Sequence, residues 1–509
     1  MNNSQNENNK KKLIEPIEFF DTPRVQSPAE IAGMAGYLKH LYSQTNIDPR
    51  QTCSSAELKY LFAATENNEI ACADMVYQIM GDNVIYSGQC YYIWNGYIWS
   101  EIGKEVFKHC VISILESRLN YVRSLQGYEN LDYVESCCNN GKINSITAIL
   151  QTYISKDPRL LNNDRGLLCV RNGVINFATR RLLPHYMYKE NYLTAMIDID
   201  YEPGFRHPLF DNFIYSIMDG DMGKINYIQS VFGYATLGSP REQLCFVFKG
   251  NGANGKTTLI DAVNAVLTHN YCCTVPKNII THENNRDINA SSSTIVQLNG
   301  KRIVFTSELR KTDKIAEARF KKLIGGGRIV GREVYKQTIE FDMRATLIID
   351  SNYLPAIASA GDDEAYAIKR RMSIIPFNHR FRPEERDINL PQKLRDPQVQ
   401  KAIISWILDG VWAYLDFGLI PTPEMQYELD SYMLTENSLV QFFDNCIVST
   451  DNPNDFIGTT ELYNEYVKYC NANNLMAVTA QKFAKSDILK TKYKSDRANA
   501  RGYCYMRFI

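Results

Sequence analysis

Short apolar runs, each closed by a polar residue or a glycine turn, set the rhythm of the middle of the chain. Leu244–Phe248 is one, and Leu259, Ile260, Val263, Val266 and Leu267 follow it at helical spacing. The β-branched run within Lys301–Glu308, the run Ala345–Asp350 and the run Ser373–Phe377 are others. Buried strands alternating with amphipathic helices predict an α/β layer domain with a mostly parallel sheet over residues 206–390.

Upstream the pattern changes. Tyr91-Tyr92-Ile93-Trp94-Asn95-Gly96-Tyr97-Ile98-Trp99 sets Asn-Gly between aromatic runs, which predicts a hairpin whose aromatics fill a small core. Arg171-Asn172-Gly173 before Val174-Ile175-Asn176-Phe177 predicts a second turn between short strands. Pro203-Gly204 marks one break, and Pro421 with Pro423 another. These divide the chain into an N-terminal segment (1–67, its Asn/Lys-rich start expected to be disordered), an N-terminal domain (68–205), the α/β domain (206–390), a helical connector (391–431) and a small C-terminal domain (432–509).

Composition narrows the class. The 509 residues are 45% apolar and 22% charged, an ordinary globular balance. No apolar run reaches the roughly 18 residues of a spanning helix, and the polar start lacks a signal-peptide core, so no membrane partner and a cytoplasmic location are expected. Net charge is −1, so any nucleic-acid surface must be a local patch. The 13 cysteines contain no C-x-x-C and the 7 histidines no H-x-x-x-H, which argues for reduced thiols and against a zinc site.

The candidate chemistry begins after Leu244–Phe248. Gly250-Asn251-Gly252-Ala253-Asn254-Gly255-Lys256-Thr257, followed by Thr258, satisfies G-x-x-x-x-G-K-[ST] in the order strand, loop, helix. Glycines let backbone N–H groups wrap phosphates, and the helix N-terminus favours anions. Lys256 can reach the β- and γ-phosphates, and the Thr257 hydroxyl suits Mg²⁺, a hard cation. ATP and Mg²⁺ are the expected ligands. Glu308, closing an apolar run, can hold Mg²⁺ or polarise the attacking water. Many such motifs carry two adjacent acids, and here the first place is Ser307. Asn352, at the tip of the next run, can orient the water or read the γ-phosphate. Lys369-Arg370-Arg371-Met372 offers an arginine able to act from a neighbouring subunit.

Taken in order, GNGANGKTT, IVFTSE, FKKLIGGGRIVGREVYK, IIDSNYLP and KRRMSIIPF resemble the superfamily 3 helicases, in particular the phage, plasmid and poxvirus-type replication helicases often labelled primase/helicase. The similarity covers roughly residues 70–390, and the segment VRNGVINFATRRLLPHYMYKENYLT looks like the domain preceding the motor. The resemblance implies a P-loop AAA+-like core, an α+β N-terminal domain and a C-terminal winged-helix domain. It implies that Lys256, Glu308, Asn352 and Arg371 are catalytic, with Arg371 the finger and Arg370 the runner-up. It implies Thr257 and Glu308 at the metal. Lys321, Lys322, Arg328, Arg332 and Lys336 would belong to a β-hairpin that grips one DNA strand, with Lys336 at its tip. A hexameric ring, single-stranded DNA at a replication fork, 3′-to-5′ movement and a separate primase or initiator follow by the same resemblance. The short N-terminal segment suggests unwinding without priming.

Charge agrees locally. Arg319, Lys321, Lys322, Arg328, Arg332 and Lys336 face only Glu333 within their stretch, and basic residues interleave with Phe483, Tyr493, Tyr503, Tyr505 and Phe508 near the C-terminus. Two rivals remain. A protein-remodelling ATPase would not need the basic hairpin, and a non-hydrolysing origin-binding scaffold would not need Glu308 and Asn352.

Overall fold

Five strands of the second half form one sheet that is buried almost end to end, as continuous apolar runs require. The computed structural model describes residues 55–509 except 126, 282–291, 311–312, 333–337, 355, 358–367, 369, 436–437, 451, 453, 474, 476, 485, 487, 490–494 and 497–501. The chain divides into two units, Met1–Tyr201 and Glu202–Ile509.

In the first unit, helices α1 (Ser55–Ala64) and α2 (Glu69–Met80) precede a three-stranded antiparallel sheet of β1 (Val84–Ser87), β2 (Cys90–Trp94) and β3 (Trp99–Ile102). Helices α3 (Lys104–Arg123) and α4 (Asn140–Tyr153) follow, then a second antiparallel sheet of β4 (Leu167–Val170), β5 (Gly173–Asn176) and β6 (Arg181–Leu183). Both expected hairpins form. In the first, Trp94 pairs with Trp99 across a four-residue loop, not a two-residue Asn-Gly turn. The Asn95 carboxamide accepts from the N–H groups of Tyr97 and Ile98, and this local alternative closes the wider loop. Trp94 and Trp99 are buried, and the Trp99 indole donates to the Lys189 carbonyl, so these rings build core. Val170 pairs with Gly173 around Arg171-Asn172, where a Cβ on Gly173 would lie 2.8 Å from the Leu183 carbonyl oxygen. No disulfide joins the described cysteines, and the Cys72 and Cys137 sulfurs stand 3.9 Å apart.

The second unit opens with helices α5 (Pro208–Ile217) and α6 (Met222–Thr236). Next come β7 (Cys245–Lys249), α7 (Lys256–Tyr271), β8 (Cys272–Thr274), β9 (Ile303–Ser307) and α8 (Glu317–Ile324). A hairpin of β10 (Arg328–Arg332) and β11 (Thr338–Asp342) leads to β12 (Thr346–Ser351) and β13 (Met372–Pro376). The order in the sheet is β13-β7-β12-β9-β8, and every pairing is parallel. Thus β12 is inserted between β7 and β9, and all carboxyl ends open on one edge.

The two faces are covered differently. Cys245 and Val247 join Val304, Leu347, Ile349 and Phe320 in one core. Phe246 and Phe248 turn the other way and meet Tyr234 and Phe232 of α6. Behind them runs α9 (Pro397–Phe417), whose Trp406 packs on Phe210 and Phe232. The segment 391–431, expected as a helical connector, is helical, and its long helix α9 also contributes to the core. Helices α6 and α9 cross backbone to backbone. A Cβ on Gly233 would lie 2.1 Å from the Gly410 carbonyl carbon, and one on Gly410 would lie 2.1 Å from the Gln229 carbonyl oxygen. Helix α10 (Pro423–Thr435) is pinned by ion pairs of Lys224 with Glu424 at 2.5 Å and of Lys249 with Glu428 at 2.6 Å.

The last stretch holds α11 (Ser438–Cys446), β14 (Ile447–Ser449), β15 (Phe456–Gly458), α12 (Thr459–Ala472), β16 (Ser495–Asp496), β17 (Gly502–Cys504) and β18 (Met506–Phe508). Strand β17 lies between β15 and β16, and β14 pairs with β18. Phe483 and Tyr503, which interleave with basic residues in the sequence, belong to the buried core with Phe442, Phe443 and Tyr466. A core this small recruits its aromatics inward because each buries a large apolar area. Tyr505 is exposed, and Tyr493 lies outside the described residues.

Candidate nucleotide site

The carboxyl edge of the parallel sheet carries a cleft of about 630 Å³, lined by the glycine loop and by the ends of β9 and β12. Open parallel sheets place ligands at this edge. The loop leaves β7 at Gly250, whose N–H donates to the Ser351 carbonyl. Its path demands small residues. A Cβ on Gly250 would stand 2.0 Å from the Asn254 amide nitrogen, and one on Gly255 would stand 2.4 Å from Ile217 Cγ2. Gly252, Ala253 and Gly255 all have positive φ, and Gly255 caps α7. Asn251 is exposed, whereas Asn254 is buried and donates to the Phe377 carbonyl. The Phe381 N–H holds the Ala253 carbonyl at 2.9 Å.

Lys256, the first residue of α7, is buried with 3% exposure. Its ammonium donates to the Gly250 carbonyl at 2.6 Å and lies 3.5 Å from Asn352 Oδ1 and 3.6 Å from Asp350 Oδ1. Burial pulls its pKa below the ordinary lysine value, and the Asp350 charge opposes that pull. Thr257 is exposed, and its hydroxyl donates to Asp350 Oδ2 at 3.2 Å. Thr258 and Asp261 line the same cleft, and burial raises the Asp261 carboxyl. Glu308 follows β9 into the cleft with φ +63, a left-handed backbone that costs a non-glycine residue about 1 kcal/mol or more. Its carbonyl accepts from Lys277, which also pairs with Asp313 at 2.6 Å.

The fold therefore gathers Lys256, Thr257, Glu308 and Asn352 around one cleft. It adds Asp350, which pattern reading passes over as the polar end of a strand; its signal is its place two residues before Asn352. Arg370 and Arg371 are not brought there. They precede β13, whose first residue pairs with Cys245, the first of β7. That is the far end of a strand pair about 16 Å long.

Among the expected DNA contacts, Lys321 and Lys322 lie on α8, where Lys321 bonds to Glu317. Arg328 and Arg332 open and close β10, antiparallel to β11. Lys336 lies outside the described residues. The return strand modifies the charge count, because Glu340 and Asp342 lie 3.7 and 3.8 Å from the Arg328 guanidinium. Of the basic residues near the C-terminus, Lys485, Lys490, Lys492, Lys494, Arg497 and Arg501 lie outside the described residues. Among the described residues no group of three or more His, Cys, Asp or Glu could hold a metal, and no helix is long and apolar enough to cross a membrane. The hard oxygens of Thr257 and Asp350 could nonetheless share a small divalent cation with bound phosphates.

Residues 73–219 match a family described as D5 N terminal like, and residues 248–371 match a family of unknown function, DUF5906. The chain is 22% identical over 330 residues to C962R of African swine fever virus, provisionally named a primase, covering 62% of this chain and 34% of that protein. It is 25% identical over 346 residues to L207/L206 of Acanthamoeba polyphaga mimivirus, provisionally named a helicase, covering 63% and 35%. It is 27% identical over 223 residues to primase D5 of fowlpox virus, covering 39% and 27%. The chain thus spans about a third of the length of these viral relatives. Among solved structures, an apo form of the NrS-1 C-terminal region covers 83% of this chain and 95% of its own at 10% identity, with a TM-score of 0.43. These relatives tie the chain to proteins named primase or helicase from large DNA viruses.

Proposed function

We propose that the chain is an ATP-driven DNA helicase of the superfamily 3 type, acting in replication of a virus, phage or mobile element. The observation that carries this reading is the convergence of Lys256, Thr257, Glu308 and Asn352 on one cleft at the carboxyl edge of the sheet. The loop 250–255 would cradle the phosphates through its N–H groups, and Lys256 would exchange its Gly250 carbonyl contact for phosphate oxygens. Mg²⁺, held beside Thr257, supplies charge neutralisation on the phosphates. Asn352, whose Oδ1 lies 3.5 Å from the Lys256 ammonium, lines the same cleft and would orient a water, and Glu308 is the candidate base.

Arg371 sits at the opposite end of its own sheet, which supports a role toward a neighbouring copy's cleft in a hexameric ring. The hairpin of residues 328–342 would track a single strand by phosphate contacts, and residues 432–509 are read as a winged-helix domain.

The test is ATP hydrolysis with and without single-stranded DNA. Turnover should rise with DNA, vanish in Lys256→Ala and lose only its stimulation in Lys336→Ala. Turnover that ignores both DNA and Lys336 would refute the helicase and favour the remodelling ATPase.

A further inference from the structure

We infer that Asp350 supplies the magnesium-holding carboxylate that the chain lacks at Ser307. The inference rests on the ATP-binding reading above and assigns a residue that reading leaves out. A phosphate-binding loop shares its Mg²⁺ between the loop Ser/Thr and an aspartate on a nearby strand. Here the strand that should bring the aspartate ends in Ser307, a neutral hydroxyl, and only Glu308 follows.

The parallel ladder shows where the charge has gone. Asp350 is the register partner of Ser307 on β12, so it occupies the same level one strand over, about 4.8 Å away. Because β12 is inserted between β7 and β9, that step carries the carboxylate toward the loop. On its other side Asp350 pairs with Phe248, two residues before Gly250.

The donor set fits the ion. Two neighbouring ligands on an octahedron with bonds of about 2.1 Å stand about 3.0 Å apart. Thr257 Oγ1 and Asp350 Oδ2 are 3.2 Å apart. The carboxylate is largely buried, with 14% of its side chain exposed, and lines the cleft beside the Lys256 ammonium. Glu308 has left the ladder through its left-handed turn. The two acids thereby separate their tasks, Asp350 toward the metal and Glu308 toward the water.

The test is Mg²⁺ dependence of binding, not turnover. A fluorescent, non-hydrolysable ATP analogue is titrated onto the full chain in EDTA and over a Mg²⁺ series, for wild type, Asp350→Asn and Asp350→Asn/Ser307→Asp. Thermal melts show that each variant is folded. Asp350→Asn should raise the Mg²⁺ half-saturation by about 10–100-fold, while affinity in EDTA does not fall, because the variant loses a negative charge that faces the phosphates. Recovery in the double variant adds support. An unchanged Mg²⁺ response overturns the assignment. So does equal weakening with and without Mg²⁺, since Asp350 would then merely anchor Lys256. If wild type binds no nucleotide, the ATP-binding reading itself falls and this inference falls with it; that failure shows in the wild type alone.

Discussion

Gly410→Ala sets two physical effects against each other, and the structure decides the sign. Residue 410 lies inside α9, a 21-residue helix, where replacing glycine by alanine should stabilise by about 1 kcal/mol from backbone propensity. The new Cβ, however, would stand 2.1 Å from the Gln229 carbonyl oxygen and 2.7 Å from its carbon. Ordinary contact begins near 3.4 Å, so the two helices must part by roughly 1 Å, and no flexible side chain can absorb the move. Parting them loosens Trp406 from Phe210 and Phe232. Overpacking costs about 1–3 kcal/mol, and a clash with backbone belongs at the upper end. The net is a loss of about 2 kcal/mol, which lowers Tm by several degrees. The assay is thermal and urea unfolding of the full chain, read beside Gly141→Ala. Gly141 lies in α4 with open space around its Cβ position, so that change should be neutral or slightly stabilising. A Gly410→Ala protein as stable as wild type, or more so, refutes the close-crossing argument.

Two further outcomes follow from particular groups. Burial raises the Asp409 carboxyl to about 6 despite the nearby Arg206. An acid with a raised folded-state pKa contributes stability that is full below about pH 4 and is lost as pH rises through about 6. Asp409→Asn should therefore stabilise at pH 7.5 by about 1–2 kcal/mol, a gain that shrinks below pH 5; equal gains at both pH values in denaturant titrations would contradict this. Glu340→Gln/Asp342→Asn removes the acids facing Arg328. It should tighten single-stranded DNA binding, and each additional phosphate neutralised should steepen the log–log salt slope by about 0.7; an unaltered slope speaks against the hairpin as the DNA-binding element.

The readable part of this protein was local. Leu244–Phe248, the glycine loop and the apolar positions of α7 announce strand, turn and helix within one stretch, because period and turn chemistry are short-range properties. The hairpins at 94–99 and 170–173 were visible for the same reason. The less readable part depends on register and packing between distant segments. Asp350 resembles any strand-end polar residue until the parallel pairing sets it level with Ser307. Gly233 and Gly410 look like helix-weakening residues until their helices cross. Phe483 and Tyr503 sit among basic residues in sequence yet point into a core. Composition along the chain records what a segment contains; it does not record which face it turns inward.

The inserted strand β12 has a mechanical consequence. It is laddered to β7 on one side and β9 on the other, so it cannot slide without rupturing both sets of hydrogen bonds at once. The residues it delivers to the cleft are mounted on the stiffest beam of the sheet. Strand β13, bonded in this sheet only to β7, is one of its two edges, and Arg371 immediately precedes it. If the chain assembles as proposed, motion coupled to the cleft would leave the centre of the sheet in place and would have to pass through an edge strand or the loops to reach a neighbouring copy.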